Sequence, residues 1–319
     1  MARIVRIATT SIATLEDTAP PFNLRYPKPQ DTLALGLSLL DAAGAQGADL
    51  ALLPEGFMAA GLPAVQIPDI AEPLGGPSFR AVAERAKRYG MYIVAGFYAE
   101  VGGTISNLAA LIDRNGELVG TYSKQRPTEG EIDNGVMPGT AAPVFETDFG
   151  RVALAICFDL NWPDLWAEYA RKGAEIVCWI SAYEGGFPLQ ASAWTNQYAV
   201  VSSVWPYHAR VIEKTGRIVA QTSRWGRLAF HNLNLDKRLF HTDGQMMKLV
   251  PILTRYGEAI RIETFHEEHL FTIESVDPAL SVDTVIAEFG LVEYRRFIDR
   301  CTWAQAEALK KKRMPEPAE

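Results

Sequence analysis

The chain has 319 residues, 48% of them hydrophobic and 22% charged, which suits a soluble globular protein able to bury a sizeable core. Its formal net charge of -7 argues against a nucleic-acid partner, because phosphate binding needs concentrated Lys and Arg. Three widely spaced cysteines (Cys157, Cys178 and Cys301) argue against a disulfide framework or a CxxC zinc site, and no apolar run approaches the ~18–20 residues of a membrane span. With no signal-peptide pattern at Met1-Ala2-Arg3, the expectation is a reduced, cytoplasmic protein.

Short β-branched runs alternate with helical patterns along the chain, the mark of a layered α/β domain. Ile4–Thr9 reads as a strand and Asp31–Gln46 as a helix with Asp31 as its N-cap. Asp49–Pro54 is a buried strand, Pro77–Tyr89 a helix with Pro at its start and Gly90 after its end, and Met91–Tyr98 a further strand. Asn115-Gly116 between Leu108–Ile112 and Leu118–Tyr122 signals a hairpin, and residues 145–152 read as a second. Val152–Cys157 is a strand of nearly continuous apolar character, Pro163–Lys172 a helix stopped by Gly173, and Ile176–Ile180 another buried strand. Val200–Trp205 and Arg210–Ala220, the latter turning at Lys214-Thr215-Gly216-Arg217, add sheet material. Hairpins mixed with βα units imply a mixed sheet. Beyond Trp225 the pattern weakens until Val292–Leu309, which reads as a helix, followed by a charged tail expected to fray. The simplest division is a domain over residues 1–276 and a C-terminal extension over 277–319.

Three reactive side chains stand at strand ends: Glu55 after Ala51-Leu52-Leu53-Pro54, Lys124 after Tyr122-Ser123, and Cys157 after Ala153-Leu154-Ala155-Ile156. In layered α/β folds functional groups collect beyond the carboxyl ends of strands, so the three can share one pocket. The set makes chemical sense. A thiol of ordinary pKa near ~8.5 is mostly protonated at neutral pH and needs a base, for which Glu55 serves. Lys124 stays charged and stabilises a thiolate or an oxyanion, with the backbone N–H of Phe158 as a second oxyanion donor.

Pro54-Glu55, Tyr122-Ser123-Lys124 and Gly150-Arg151-Val152-Ala153-Leu154-Ala155-Ile156-Cys157-Phe158-Asp159 resemble the three signature motifs of the nitrilase superfamily, the carbon–nitrogen hydrolases. Pro138-Gly139, Trp162-Pro163-Asp164 and Lys172-Gly173-Ala174-Glu175-Ile176 resemble the pattern around them, and the likeness runs over roughly residues 3–225. The resemblance implies a four-layer αββα sandwich and a Glu-Lys-Cys triad. Glu55 would be general base and acid, Lys124 the electrostatic stabiliser and Cys157 the nucleophile of a thioester acyl-enzyme. It also implies a second glutamate after the lysine, for which Glu131 fits best and Glu129 is the fallback. No metal or organic cofactor is implied. Members commonly form homodimers or larger assemblies, which points to the 277–319 extension as an interface. One departure is Asn161, where many members carry Arg; this removes a carboxylate-binding group from that position.

Alternative readings stand beside these. Cys178 and Cys301 read as structural, and most of the seven tryptophans as core. His266-Glu267-Glu268-His269 places its histidines three apart, not the four of a zinc helix, so no metal site is expected. Phe158, Trp162, Tyr183 and Glu184 are candidates for contacting substrate. The leading expectation is an amidase-type hydrolase of small amide or N-carbamoyl substrates, in the amidase and carbamoylase-like branch. A nitrilase is the first alternative, disfavoured because nitrilases of the family commonly show Cys-Trp-Glu where this chain has Cys157-Phe158-Asp159. A non-catalytic binding protein on the same fold is the second, disfavoured by the intact triad.

Overall fold

Residues 3–15, 24–25 and 28–313 are described by the computed structural model. The elements run β1 (Ile4–Thr10), a ribbon of β2 (Thr14–Leu15) and β3 (Leu24–Arg25), α1 (Pro29–Ala45), β4 (Leu50–Leu52), α2 (Ile67–Ile70), β5 (Glu72–Pro73), α3 (Pro77–Tyr89), β6 (Tyr92–Val101), β7 (Thr104–Ile112) and β8 (Leu118–Ser123). They continue with α4 (Glu129–Asp133), β9 (Val144–Glu146), β10 (Arg151–Ile156), α5 (Pro163–Arg171), β11 (Ile176–Ser181), α6 (Phe187–Asn196), β12 (Ala199–Val204), β13 (Arg210–Ile212), β14 (Ile218–Gln221) and β15 (Leu228–Asn234). The first helix starts earlier than expected: Lys28 is the N-cap and Pro29 takes the first helical position, where its missing N–H costs nothing. Asp31 falls instead in the first turn, where its charge suits the helix dipole.

Two mixed sheets result. The first runs β15-β1-β4-β6-β7-β8, with β5 beside β6; β1, β4 and β6 are parallel, and β7 and β8 return antiparallel. The second runs β14-β13-β12-β11-β10-β9, with β10, β11 and β12 parallel at its centre. The sheets stack face to face, β10 over β7 and β11 over β6. Buried hydroxyls tie them together: Thr10 Oγ1 and Ser203 Oγ lie 3.1 Å apart, and Ser203 Oγ donates to Thr10 O at 2.9 Å. Helices α1 and α3 cover the first sheet through Leu40, Ala43, Val82 and Ala86. Leu165, Trp166 and Tyr169 of α5 and Leu189 and Ala193 of α6 are buried on the second, where Tyr169 Oη donates to Leu154 O of β10. The order helix, sheet, sheet, helix is the expected αββα sandwich.

Val5–Leu233 form one compact unit, and residues 234–313, with Arg3 and Ile4, form another. The division falls at 233/234. The reason is a separate apolar core. Strands β16 (Arg238–His241), β17 (Ile260–Phe265) and β18 (Leu270–Ser275) form a three-stranded sheet in the order β16-β18-β17. Helices α7 (Leu249–Tyr256) and α8 (Val282–Phe289) bury Ile252, Val282 and Val285 with Phe240, Phe271 and Ile273. His266–His269 form the turn between β17 and β18, with His269 at φ 56°. Helix α9 (Tyr294–Arg313) follows, and of the tail expected to fray, residues 314–319 lie outside the described residues. No described helix is long and apolar enough to cross a membrane.

Candidate active site

Glu55 follows β4, which pairs with β6 so that the chain leaving β4 passes over Gly96. A Cβ at Gly96 would sit 2.5 Å from Pro54 O and 2.6 Å from Glu55 Cα, so glycine is what lets the Glu55 backbone lie this close to β6. The carboxylate is buried and accepts three hydrogen bonds. Oε1 takes Lys124 Nζ at 2.8 Å and Asn107 Nδ2 at 2.7 Å, and Oε2 takes the N–H of Ala182 at 2.9 Å. Trp205 Nε1 donates to its carbonyl at 2.6 Å.

Lys124 leaves the end of β8, and its backbone is pinned by Asn107 O at 2.9 Å and by the N–H of Gly139 at 2.8 Å. Its ammonium is 1% exposed and bridges Glu55 Oε1 and Glu131 Oε2, both at 2.8 Å. Burial alone would push its pKa down, but the charges of Glu55 and Glu131 outweigh it and hold the group well above the ordinary lysine range. Glu131 reaches Lys124 because Thr128-Glu129-Gly130-Glu131 is a capping box. Thr128 Oγ1 accepts from the N–H of Glu131 at 3.3 Å, and Glu131 Oε2 accepts from the N–H of Thr128 at 2.8 Å. Burial raises the pKa of Glu131, yet Lys124, Thr128 and Asn107 bring it below the usual carboxylate value. Glu129, the fallback, is exposed.

Cys157 begins a tight turn directly after β10, with φ 49°. This left-handed conformation is costly for a side chain with a Cβ and marks a strained elbow. Burial pushes the thiol well above its ordinary pKa; the charge of Glu55 adds to this, while Lys124 and a hydrogen bond with Ser181 oppose it. Burial and the Glu55 charge thus favour the thiol over the thiolate. Asp159 clamps the elbow from below. Its buried carboxylate accepts from Tyr122 Oη at 2.7 Å, from the N–H of Ile156 at 3.0 Å and from the N–H of Arg126 at 3.0 Å, joining the cysteine turn to the lysine loop. Burial raises its pKa to about 6, against the pull of these donors and of Lys124.

The expected contact residues divide. Phe158 is 38% exposed and meets Trp162 edge-on at 5.2 Å, and the Arg126 guanidinium lies over the Trp162 ring at 5.4 Å. Tyr183 packs on Trp179 and points Oη at Cys157 O, 3.5 Å away; burial raises its pKa to about 12. Glu184 instead turns its carboxylate to His208 Nδ1 at 3.0 Å, while its carbonyl accepts from Arg210. Asn161 donates to Phe158 O at 3.1 Å, so its amide braces the turn. No group of three or more His, Cys, Asp or Glu among the described residues is arranged to hold a metal ion.

A family model described as carbon-nitrogen hydrolase matches residues 12–238. The chain belongs to the carbon–nitrogen hydrolase family. Beta-ureidopropionase of Arabidopsis thaliana is 31% identical over 220 residues, 63% of this chain and 52% of that protein, so the match spans about half the plant protein's length. Deaminated glutathione amidase of Homo sapiens is 28% identical over 244 residues, 66% of this chain and 74% of that protein. The solved structure of Saccharomyces cerevisiae Nit3, a member of branch 10 of the nitrilase superfamily, superposes with a TM-score of 0.63 at 17% identity, covering 73% of this chain and 90% of that one. The last likeness establishes the fold. In this carbon–nitrogen hydrolase Glu55, Lys124, Glu131 and Cys157 lie in one buried cluster, to which Asn107, Ala182 and Ser181 also belong. None of these last three was anticipated from the sequence; Asn107 is a polar residue inside a strand, and Ser181 and Ala182 leave the end of β11.

Proposed function

We propose that this carbon–nitrogen hydrolase cleaves a small amide or N-carbamoyl substrate through a thioester on Cys157. The buried Glu55–Lys124–Glu131 cluster beside a strained cysteine elbow carries the reading. Because burial holds the thiol protonated, the first step is proton transfer to Glu55 as the thiolate attacks the carbonyl carbon. Lys124 has three N–H donors and spends two on the glutamates, leaving one for the oxyanion; the N–H of Phe158 supplies another. Glu55 then gives its proton to the departing nitrogen, and ammonia or an amine leaves. Water, deprotonated by Glu55, attacks the thioester and releases the acid and the free thiol. Glu131 keeps Lys124 charged and in place, and Phe158, Trp162 and Tyr183 form the rim against which the acyl group rests.

The similarity to deaminated glutathione amidase supports amide cleavage, and Cys157-Phe158-Asp159 supports amides over nitriles. Ammonia release measured over amides, N-carbamoyl compounds and nitriles tests the reading: turnover of an amide or carbamoyl compound is expected. Turnover of nitriles alone would overturn it.

A further inference from the structure

Asn107 sits in β7, wholly buried, and a single amide nitrogen serves both carboxylates of the site. Its Nδ2 donates to Glu55 Oε1 and to Glu131 Oε1, each at 2.7 Å. Lys124 Nζ reaches the same two residues through Glu55 Oε1 and Glu131 Oε2 at 2.8 Å. The four side chains thus close a hydrogen-bonded ring. The amide oxygen of Asn107, by contrast, is buried with no hydrogen-bond partner among the described residues. An unpaired buried carbonyl carries its desolvation penalty uncompensated. Flipping the amide would put that oxygen against two carboxylates, so the carboxylates dictate its orientation.

We propose that Asn107 is a positioning residue that selects which oxygen of Glu55 takes the Cys157 proton, an inference that rests on the thioester reading above. Each carboxylate oxygen offers two lone pairs. Oε1 spends both, on Lys124 and Asn107, while Oε2 spends one on the N–H of Ala182 and keeps one. The S–H bond breaks, its proton bonds to Oε2, and the electron pair stays on sulfur; the new O–H later breaks and its proton goes to the leaving nitrogen. Without the Asn107 donor, Oε1 regains a lone pair and can hold the proton where the leaving nitrogen does not collect it. The charged and titratable groups around this amide are Glu55 after β4, Tyr98 of β6, Lys124 after β8, Glu131 of α4 and Cys157 after β10.

The test uses Asn107→Asp, of the same shape but with the donor replaced by an acceptor, and Asn107→Ser, which keeps a smaller donor. Both are compared with wild type for kcat, KM, the pH profile of kcat/KM and the pH dependence of Cys157 alkylation by iodoacetamide, with folding checked by circular dichroism. The expected result is a roughly 100-fold drop in kcat for Asn107→Asp with KM within about threefold, the lower range of what a positioned acid–base group contributes. Asn107→Ser keeps more activity, and its acid limb moves to higher pH because one O–H cannot replace two N–H donors, and the Asn107 donor is part of what holds Glu131 low. If Asn107→Asp does not fold, Asn107→Ser decides. Wild-type kcat and an unmoved acid limb in folded Asn107→Ser overturn the inference. If the wild type hydrolyses no amide or N-carbamoyl compound, the thioester reading fails, and the alkylation profile decides alone: an unmoved profile in Asn107→Ser overturns the role of Asn107.

Discussion

Replacing Lys124 with Met keeps much of the side-chain volume and removes one charge from between two buried carboxylates. Lys124 is 1% exposed, and its partners Glu55 and Glu131 are 3% and 7% exposed, so solvent screens the pair weakly. Removing one member of such a buried pair typically costs about 3–5 kcal/mol, because the uncompensated charge stays behind. For a unit of this size that corresponds to a fall in Tm of roughly 6–20 °C near neutral pH. The pH dependence has a definite sign. In the native protein the pKa of Glu131 lies below its ordinary 4.5, so it stabilises the fold above that value and loses the effect as pH falls through its native pKa. Without Lys124 the Glu131 carboxylate loses its cation and that cation's hydrogen bond, so its native pKa rises and its ionised form costs more, a cost that protonation relieves. The Tm deficit of Lys124→Met is therefore largest at neutral pH and narrows toward pH 4.5. Thermal unfolding followed by circular dichroism at a series of pH values measures it. A deficit that is absent at neutral pH, or that widens on acidification, would refute the reasoning.

Gly96→Ala places a methyl 2.6 Å from Glu55 Cα; it is expected to cost about 1–3 kcal/mol and to lower kcat by moving Glu55, as read by denaturant unfolding and steady-state kinetics. Asp159→Ala leaves Tyr122 Oη and the N–H groups of Ile156 and Arg126 without their acceptor, for an expected loss of roughly 3 kcal/mol or more in chemical denaturation. Asp159→Asn tests its titration. With a native pKa raised from 3.8 to about 6, wild-type Asp159 contributes stability that is full below 3.8 and lost as pH rises through about 6, and the Asn variant is expected to lack that slope. Sedimentation at micromolar concentration is expected to show a dimer or larger assembly; a monomer contradicts the expectation drawn for residues 277–319.

The sequence was legible where local chemistry and periodicity agreed. Pro77 and Gly90 bound α3 where expected, and Asn115-Gly116 turns β7 into β8. Glu55, Lys124 and Cys157 were visible because each ends an apolar strand and each falls in an ordered motif. Glu131 was separable from Glu129 by its distance from Lys124, and the capping box with Thr128 is the physical reason for it. Asn107 was missed because the expected strand began at Leu108, four residues after its observed start at Thr104, and an Asn in a strand reads as a boundary. Ala182 contributes a backbone N–H, which leaves no trace in residue type. The smaller unit was opaque for another reason: β17 alternates irregularly between exposed and buried positions, β18 is buried throughout, and β16 finds its partner β18 only beyond α7 and β17.

The central claim is that Cys157 carries the acyl group. Wild type and Cys157→Ala, incubated with a hydrolysed amide and quenched during turnover, should differ in intact mass and in ammonia release. The expected result is an acyl adduct mapped to the Cys157 peptide in wild type, with neither adduct nor ammonia in Cys157→Ala. Ammonia release by folded Cys157→Ala at the wild-type rate would contradict the account.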